Sequence, residues 1–566
     1  MVGQASVPVQ IRLHRSEQDS RLQSEQGRPC HRRLMRPSSA TPETSAPGQP
    51  WHPHHNPWLI AISVMLATFM EVLDTSVANV SLPHIAGNLS ATTDESTWVL
   101  TSYLVANAII LPASGWLSNY FGRKRLLITC IVIFTIASAL AGAAPTLGWL
   151  IFARVLQGAG GGALQPLSQA ILLESFAPAE RGVAMAAFGM GVVVAPTIGP
   201  TLGGWITDSY SWRWIFYINL PIGLLAILMV RAFVEDPHYI KSAKGRARAN
   251  IDYIGFGLMA VWLATLQIIL DKGQEDDWFS AEWIRWTAAI SALCMIGFIL
   301  RELRTDHPIV DLRILKNRNF AVGLILMTVI GGILYSTIVQ LPLFMQTLMG
   351  YSALLAGYAL SPRGLGSILS MIVIGRITKL VDNRALMVGG FLLLAYSSFQ
   401  FGEINLNIGM ASVIWPNILN GIAVSFIFVP LTTVTMGTLR NEQMGNASGI
   451  FNLMRNLGGS IGISAVTTFV ARGAQVHQAM MVGHLTPYDP VFQRELGQIQ
   501  QALTPQVGSF VAAQQAHGLI YHTLVQQASV WAFVDNFRWI ALISLFCVPT
   551  VFLFKKVTHP VSAPAH

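Results

Sequence analysis

Long apolar stretches recur along this chain from residue 58 to residue 556, each of about 18 to 25 residues. A helix of that length crosses the roughly 30 Å hydrocarbon core of a bilayer. The composition agrees, because 52% of the residues are hydrophobic and 11% are charged, about half the charged share of a soluble domain. The sequence therefore predicts an all-α integral membrane protein. The predicted spans, about fourteen, are 58–80, 98–118, 126–144, 147–172, 182–206, 213–234, 251–270, 284–300, 320–345, 352–375, 385–400, 408–437, 446–471 and 535–554.

The basic residues indicate which way the spans run. Arg123, Lys124 and Arg125 follow the second span, and further Lys and Arg residues follow the sixth and eighth spans. The loop of residues 81–97 contains no Lys or Arg. By the positive-inside rule, both termini are therefore expected in the cytoplasm. Because the bases are spread over short turns, the formal charge of +8 gives no reason to expect a nucleic-acid partner.

The N-terminal zone differs in composition from the rest of the chain. It is rich in Arg, Ser, Gln and Pro, so we expect residues 1–55 to form a disordered cytoplasmic tail. It lacks the apolar middle region of a signal peptide, and Met35 is a second candidate start. His52, His54 and His55 form only a weak metal signal, and the four cysteines include no CxxC pair. Neither a metal site nor a disulfide framework is predicted.

Two acids lie in the first span. In ATFMEVLDTSVANVSLP, Glu71 and Asp74 are three residues apart and so share one face of a helix. A carboxylate in hydrocarbon is costly unless it faces a cavity, pairs with a cation or binds a proton. Intramembrane acids therefore indicate proton or ion coupling. The alternative is that these acids snorkel or belong to a static hydrogen-bonded core.

A buried cation in the fourth span offers these acids a partner. Arg154 and Gln157 are one turn apart, and a guanidinium at that depth needs an anion or a carbonyl nearby. We hypothesise that Asp74 or Glu71 pairs with Arg154, and that proton binding to the acids changes this pairing and shifts the balance between inward-open and outward-open states. The alternative is that Arg154 is a purely structural tie between helices.

The glycine-rich run at 158–162 is not a nucleotide-binding loop. It lies inside an apolar helix with no Lys or Ser/Thr at the required place, and small residues there favour close helix packing. With no ATP site evident, we expect an ion gradient to supply the energy and no cofactor to be needed. No nucleophile, base and orienting group converge in the sequence, so an enzyme is not predicted.

The two halves of the chain share a short pattern. GWLSNYFGRKRLLI follows the second span and GRITKLVDNRALM follows the tenth, which aligns Gly115 with Gly375 and places Arg384 against the basic pair. Related halves imply two six-helix bundles around a midplane site, with spans 7 and 8 as an inserted pair, although chance similarity is the alternative. The predicted domains are an N-terminal bundle 56–235, an inserted pair 236–305, a C-terminal bundle 306–556 with a periplasmic loop 472–534, and a cytoplasmic tail 557–566.

Longer motifs carry a family resemblance. They are LDTSVANVSLP in span 1, GWLSNYFGRKR after span 2, LIFARVLQGAGGG in span 4, APTIGPTLGGWI in span 5, SWRWIFYINLPIG at 211–223, HPIVDLRILKNRNF at 307–320 and GNASGIFNLMRNLGGSIG in span 13. The chain resembles the major facilitator superfamily, within it the fourteen-span drug:proton antiporters of the EmrB/QacA type, and most of all the EmrB branch. This resemblance implies the major facilitator fold, and a periplasmic adaptor (membrane fusion) protein and an outer-membrane channel as partners.

The resemblance also implies roles for two sets of residues. The loop motif includes Gly115, Asn119, Gly122, Arg123 and Arg125. Asn119 stands where the family usually has Asp, so we expect no charged bridge from it to Arg123. The antiporter motif includes Gly199, Pro200, Gly203 and Gly204, which permit a bend and close helix contact. The family assigns this motif to sealing a leak pathway, and a plain packing kink is the alternative.

Cargo recognition is predicted from polar and aromatic residues in the spans. The candidates are Tyr103, Asn107, Gln165, Gln169, Gln340, Phe344, Trp415, Asn417 and Asn420. The alternative, more common for a lone amide in a membrane helix, is a hydrogen bond to a neighbouring helix. Arg363 and Arg455 favour anionic or weakly acidic cargo, or else snorkel toward headgroup phosphates. The stretch 472–534 predicts one or two short amphipathic helices, which form either a docking surface for the adaptor or a solvated cap.

Together these observations predict a proton-coupled multidrug efflux antiporter of the bacterial inner membrane. Its expected partners are lipophilic small molecules, protons, membrane lipids, the adaptor and the outer-membrane channel. Three alternatives stay open: a proton-coupled importer, an exporter of one metabolite, fatty acid or siderophore, and a membrane sensor that transports nothing.

Overall fold

The computed structural model describes residues 53–177, 180–237, 252–306, 308–378 and 380–555. Within these ranges the chain contains eighteen α-helices, three short 3₁₀ segments and no strand. The α-helices are α1 Pro57–Val80, α2 Leu82–Asn88, α3 Thr93–Phe121, α4 Arg123–Gly142, α5 Leu147–Gly161, α6 Leu164–Ser175, α7 Arg181–Ser209, α8 Trp214–Tyr217, α9 Asn219–Phe233, α10 Tyr253–Lys272, α11 Glu282–Arg304, α12 Arg318–Thr347, α13 Ala353–Ile377, α14 Asn383–Phe401, α15 Met410–Met436, α16 Met444–Val482, α17 Pro490–Val507 and α18 Ser509–Val551. The predictions for residues 1–52 and for the tail 557–566 lie outside the described residues.

Twelve helices in the described ranges are long and apolar enough to cross a membrane. The other two predicted spans correspond to helices of a different kind. Span 147–172 is divided into α5 and α6, which are separated at residues 162–163 and are each short. Span 446–471 lies within α16, where Asn452 and Arg455 add polar groups to a 39-residue helix. Counting these two gives the fourteen that the sequence predicts.

The loop motif owes its geometry to how α3 begins and ends. At its start, the Thr92 hydroxyl oxygen accepts a hydrogen bond from the Glu95 backbone N–H, and the Glu95 carboxylate accepts one from the Thr92 backbone N–H, which forms a capping box. At its end, Gly122 has a φ of 88°. Glycine adopts this conformation without the strain that a side chain would add, so the chain turns within one residue into α4. The turn places Arg123 at the first position of α4.

Contacts between helix ends define two faces of the molecule. The Lys124 backbone N–H donates to Asp236 over 2.8 Å, which joins the start of α4 to the chain after α9. Arg181, at the start of α7, donates to Asn441 over 3.1 Å just before α16. We call the face that contains these contacts, where α1 begins, the proximal face. The face where α1 ends is the distal face.

The helices form two groups joined along two seams. Helix α3 packs against α16, and α7 packs against α13. The pair α10–α11 lies over the first seam, because α10 contacts both α3 and α16. Lys272 donates to Thr97 over 2.7 Å on one side, and Ser460 donates to Gln267 over 3.0 Å on the other. These contacts place α10 against both α3 and α16, and the domain boundaries that the sequence predicts stay a prediction.

The region predicted as a loop at 472–534 is a helical extension on the distal face. Helix α16 continues to Val482 and α18 begins at Ser509, so both helices extend beyond the predicted spans 446–471 and 535–554. The two helices continue beyond the apolar stretches because the sequence next to those stretches is rich in good helix formers, and because α16 and α18 pack together. His477 Nε2 and Asp535 Oδ2 are 2.8 Å apart across this contact. One separate amphipathic helix, α17, is present between them.

Candidate functional site

A buried ion pair joins the first and fourth spans. Arg154 Nη1 lies 2.6 Å from Asp74 Oδ2, and both side chains are buried. Gln157 Nε2 donates to Asp74 Oδ1 over 2.8 Å, and Asn219 Nδ2 donates to the same oxygen over 2.7 Å. Arg154 Nε donates to the Val99 carbonyl over 3.0 Å. Of the two acids that the sequence offers, Asp74 is therefore the one paired with Arg154.

Glu71 has a different environment, made of neutral donors. Tyr103 Oη and Asn107 Nδ2 donate to its Oε1 over 3.3 and 3.2 Å, and Gln165 Nε2 donates to its Oε2 over 2.5 Å. Only 5% of Glu71 is exposed. Three of the predicted cargo-binding residues thus solvate a buried carboxylate. Such an arrangement can hold Glu71 in either protonation state, since neutral donors attract a charge less strongly than a cation does.

A row of hydrogen bonds leads from Glu71 to the other half of the molecule. Gln165 Oε1 accepts from the Arg455 guanidinium, and Gln169 Oε1 accepts from Ser448 Oγ over 2.8 Å and from Asn452 Nδ2 over 2.6 Å. We call these five residues, two on α6 and three on α16, the polar ladder. The ladder connects the helices that the sequence assigns to the N-terminal and C-terminal bundles.

A cavity of about 660 Å³ lies between the two groups of helices. Its lining residues come from α1, α2, α7, α12, α13, α15 and α16, and many of them are apolar, including Val192, Met327 and Phe428. His84 and Asp208 line its mouth at the distal face, where both are exposed. The cavity therefore opens on the distal face, while the polar ladder lies on its proximal side.

Two buried arginines line this cavity. Arg363 is 5% exposed and Arg455 is 2% exposed. In the described part of the chain, Nη1 and Nη2 of Arg363 and Nε and Nη1 of Arg455 donate no hydrogen bond, and neither residue forms an ion pair with a carboxylate. A buried cation without an anionic partner is costly, so this cavity is suited to a ligand that brings a negative charge.

The other predicted cargo-binding residues bond to the protein itself. Gln340 Nε2 donates to the Phe533 carbonyl over 3.1 Å, and Asn417 Nδ2 donates to the Ala359 carbonyl over 3.1 Å. Trp415 is 58% exposed on the outer surface. Among the described residues, the wall of the cavity includes none of Tyr103, Asn107, Gln165, Gln169, Gln340, Phe344, Trp415 and Asn417. That they bind cargo stays a prediction.

The antiporter motif divides between a helix contact and the cavity wall. A Cβ atom at Gly199 would overlap the Ser76 side chain on α1, and one at Gly203 would press on Val77. Pro200 and Gly204 line the cavity instead. Gly199 and Gly203 therefore allow α7 to approach α1 closely, while Pro200 and Gly204 form part of the cavity wall.

This division predicts opposite outcomes for two substitutions in one motif. We expect Gly199→Val to cost about 1–3 kcal/mol of stability, because the added carbons have no room against Ser76. Gly204→Val is the matched control, since no atom lies within 4 Å of its Cβ position. Thermal unfolding of the purified variants in detergent measures the difference. Equal stability of the two variants would show that the α1–α7 contact does not depend on Gly199.

The loop motif contains an ion pair that the sequence did not predict. Arg123 pairs with Glu174 at the end of α6, and both side chains are buried. Gly115 approaches the Asn446 backbone of α16 across the seam. Asn119 is partly buried and Arg125 is exposed. Glu174 lies just after the predicted span 147–172, and an acid at the end of an apolar span could have indicated a partner for Arg123.

Comparisons with known proteins agree with the fold and with the motifs. The sequence profile of the Major Facilitator Superfamily matches residues 64–463. Fatty acid resistance protein FarB of Neisseria gonorrhoeae is 37% identical over 501 residues, which cover 88% of this chain and 96% of FarB. Multidrug export protein EmrB of Escherichia coli K12 is 37% identical over 505 residues, which cover 88% and 95% of the two chains.

A solved structure shows the same fold at low identity. The human organic anion transporter MFSD10 (TETRAN) superposes with a TM-score of 0.54 at 13% identity, and the match covers 88% of this chain and 100% of that one. The family is one of membrane transporters and not of enzymes. From the profile match and the relatives at 37% identity, the chain belongs to the Major Facilitator Superfamily and, within it, to the EmrB branch.

Proposed function

We propose that this protein is a proton-coupled multidrug efflux antiporter that exports lipophilic compounds across the bacterial inner membrane. One observation carries the proposal: buried Glu71 is linked through Gln165 to Arg455, which lines the cavity. A proton site and a ligand site that share one hydrogen-bonded chain can influence each other's occupancy, as coupled transport requires.

The orientation follows from the basic loops. Arg123 and Arg125 begin α4 at the proximal face, and Arg313 and Lys316 precede α12 there. The positive-inside rule then places the proximal face and both termini in the cytoplasm. In this orientation the cavity opens to the periplasm, and the described conformation is outward-open. The polar ladder closes the cytoplasmic route.

We assign the proton to Glu71 and a structural role to the Asp74–Arg154 pair. Asp74 has a cation and two amides as partners on neighbouring helices of one bundle, so its charge is already balanced. Glu71 has neutral partners and a route to the opposite bundle. The proton gradient supplies the energy, and the proposal needs no cofactor. Export follows when protonated and deprotonated Glu71 favour opposite orientations of the two bundles.

The cavity favours a lipophilic cargo with an acidic group. Its apolar walls suit a hydrocarbon body, while Arg363 and Arg455 offer unpaired donors to a carboxylate or a similar anion. The name of the gonococcal relative, a fatty acid resistance protein, agrees with this chemistry. A more specialised exporter of fatty-acid-like anions is therefore the second candidate function.

We further propose that the chain is the permease subunit of a tripartite system. The extension of α16, α17 and α18 projects on the distal face, which this orientation puts in the periplasm. A periplasmic adaptor would meet the transporter on that side, and the outer-membrane channel would follow. Large exposed side chains such as Tyr488 and Phe510 are available there for such a contact.

The proposal is tested by transport into inverted proteoliposomes with an acidic interior. We expect the purified protein to accumulate dansylaminoundecanoate, a fluorescent lipophilic carboxylate, only while the pH gradient is present. Arg363→Gln should weaken uptake of this anion by about 10- to 150-fold, because a hydrogen bond to a charged group contributes about 1.5–3 kcal/mol. Uptake of a lipophilic cation such as ethidium provides the comparison, because it cannot use that contact. Accumulation that ignores the gradient would refute proton coupling.

A further inference from the structure

We propose that the side-chain amide of Gln165 reports the protonation state of Glu71 to Arg455, and so controls the contact between the two bundles. Gln165 is then a positioning residue for proton-coupled transport. This inference rests on the proposed function and adds to it the physical link between the proton and the cytoplasmic gate.

The Gln165 amide forms a hydrogen bond through its NH₂ group and another through its oxygen, and the direction of each bond matters. Its Nε2 donates to Glu71 Oε2 over 2.5 Å, and its Oε1 accepts from Arg455 Nη2. An ionised carboxylate only accepts hydrogen bonds, and a guanidinium only donates them. One orientation of the amide therefore satisfies both neighbours, and it is the orientation that deprotonated Glu71 requires.

Protonation of Glu71 removes that requirement. A protonated carboxyl group has an O–H that donates, and it can direct this donor to the Gln165 carbonyl oxygen. The amide then turns its NH₂ group toward Arg455, where two donors face each other and no hydrogen bond forms. The charge that favoured the original orientation is also lost. Adding one proton on α1 thus breaks a contact between α6 and α16.

That contact belongs to the barrier that must open toward the cytoplasm. Ser448, Asn452 and Arg455 follow one another at helical spacing on α16, and their partners Gln165 and Gln169 are one turn apart on α6. All these hydrogen bonds lie between the cavity and the proximal face. Arg455 is the member of the polar ladder next to the cavity. Breaking its hydrogen bond to Gln165 therefore frees the guanidinium and weakens the contact between α6 and α16 from the cavity side.

Few other charged groups surround Glu71. Asp74 on the same helix is held by Arg154, and Tyr103 on α3 is the remaining titratable neighbour. On α6, Glu174 lies nine residues from Gln165, which corresponds to about 13 Å along the helix. The charged residues of α7, Arg181 and Asp208, lie at its two ends. On α9, Arg231 lies in the last turn of the helix. Glu71 is thus the acid placed to turn the Gln165 amide.

A cysteine pair across the gate can test the link without any transport measurement. Ser118 of α3 lies 3.2 Å from the position of a Cβ atom on Gly445 of α16. Ser118→Cys with Gly445→Cys should therefore form a disulfide when the gate is closed. The full-length chain would carry this pair with its native cysteines changed to serine at Cys30, Cys130, Cys294 and Cys547.

In this background, we expect the initial rate of cross-linking, relative to a denatured sample at each pH, to fall roughly tenfold between about pH 8 and about pH 5. Gln165→Met keeps the side-chain volume but has no amide, and it should make the relative rate independent of pH. Gln169→Met is the matched control. It removes the hydrogen bonds from Ser448 and Asn452 to Gln169. The cross-linking rate should therefore be lower at every pH, while its response to pH remains.

A pH response in Gln165→Met equal to that of the parent pair would overturn the proposal. Glu71→Gln in the same background gives a second test that does not depend on the Gln165 variant folding. Its rate should not change with pH, and a surviving response would place the controlling proton elsewhere. If the parent protein shows no gradient-driven uptake of dansylaminoundecanoate, the proposed function fails, while the cross-linking rates still decide whether Gln165 responds to Glu71.

Discussion

Arg154→Met is expected to destabilise the protein by about 3–5 kcal/mol. The substitution removes the only cation within ion-pair distance of Asp74 in the described part of the chain, and leaves this carboxylate buried. Gln157 and Asn219 still donate to Asp74, but neutral amides do not replace a cation in an apolar bundle. Differential scanning fluorimetry in detergent, with gel filtration of the heated samples, measures the loss.

The double variant Arg154→Met, Asp74→Asn is the control for this prediction. It removes both charges, so no buried ion remains unpaired, and replacing a whole buried pair costs less than breaking it. We expect the double variant to recover a large part of the stability that the single change loses. An Arg154→Met variant as stable as the parent would contradict a structural role for the pair.

The membrane spans were predictable because lipid imposes a length and an apolar composition on each helix. At residues 472–534, two of the helices continue past their apolar stretches. Hydropathy reports where a helix meets lipid and not where it ends. The extent of α16 and α18 depends on helix propensity and on packing between them, and neither is visible in a hydropathy profile.

The sequence identified Glu71, Asp74 and Arg154 because ionisable residues in apolar spans are rare. It could not decide which acid meets the arginine. Glu71 and Asp74 are three residues apart on one helix, so a modest rotation of α1 against its neighbours would exchange their partners. The structure places Asp74 against Arg154 and Glu71 against Gln165, a choice made by packing across several helices.

The amides of the spans illustrate a second limit of sequence reasoning. Asn219 was overlooked and Asn417 was selected, although both are amides in apolar helices. Asn219 donates to Asp74, while Asn417 donates to a backbone carbonyl. An amide serves a charge, a backbone group or a ligand equally well, so its role depends on what lies opposite. Arg363 and Arg455 were more informative, because a buried cation is costly without a partner.

Glu71→Gln is expected to abolish the response of transport to the proton gradient. Glutamine has nearly the same shape and can keep hydrogen bonds to Tyr103 and Asn107, so the fold should persist. It cannot exchange a proton, and the coupling between proton and cargo should be lost. A coupling free energy of the usual size corresponds to about 5- to 150-fold in gradient-driven uptake. Inverted proteoliposomes loaded at low internal pH provide the measurement.

Exchange of labelled for unlabelled cargo at equal pH separates loss of coupling from loss of transport. Exchange needs the cargo site and the movement of the bundles but no net proton flow, so Glu71→Gln should still exchange. Asp74→Asn should instead lose stability and exchange together, because it leaves buried Arg154 without its anion. If Asp74→Asn stays folded and exchanges cargo but ignores the gradient, while Glu71→Gln still responds to it, the proton belongs to Asp74 and the assignment to Glu71 is wrong.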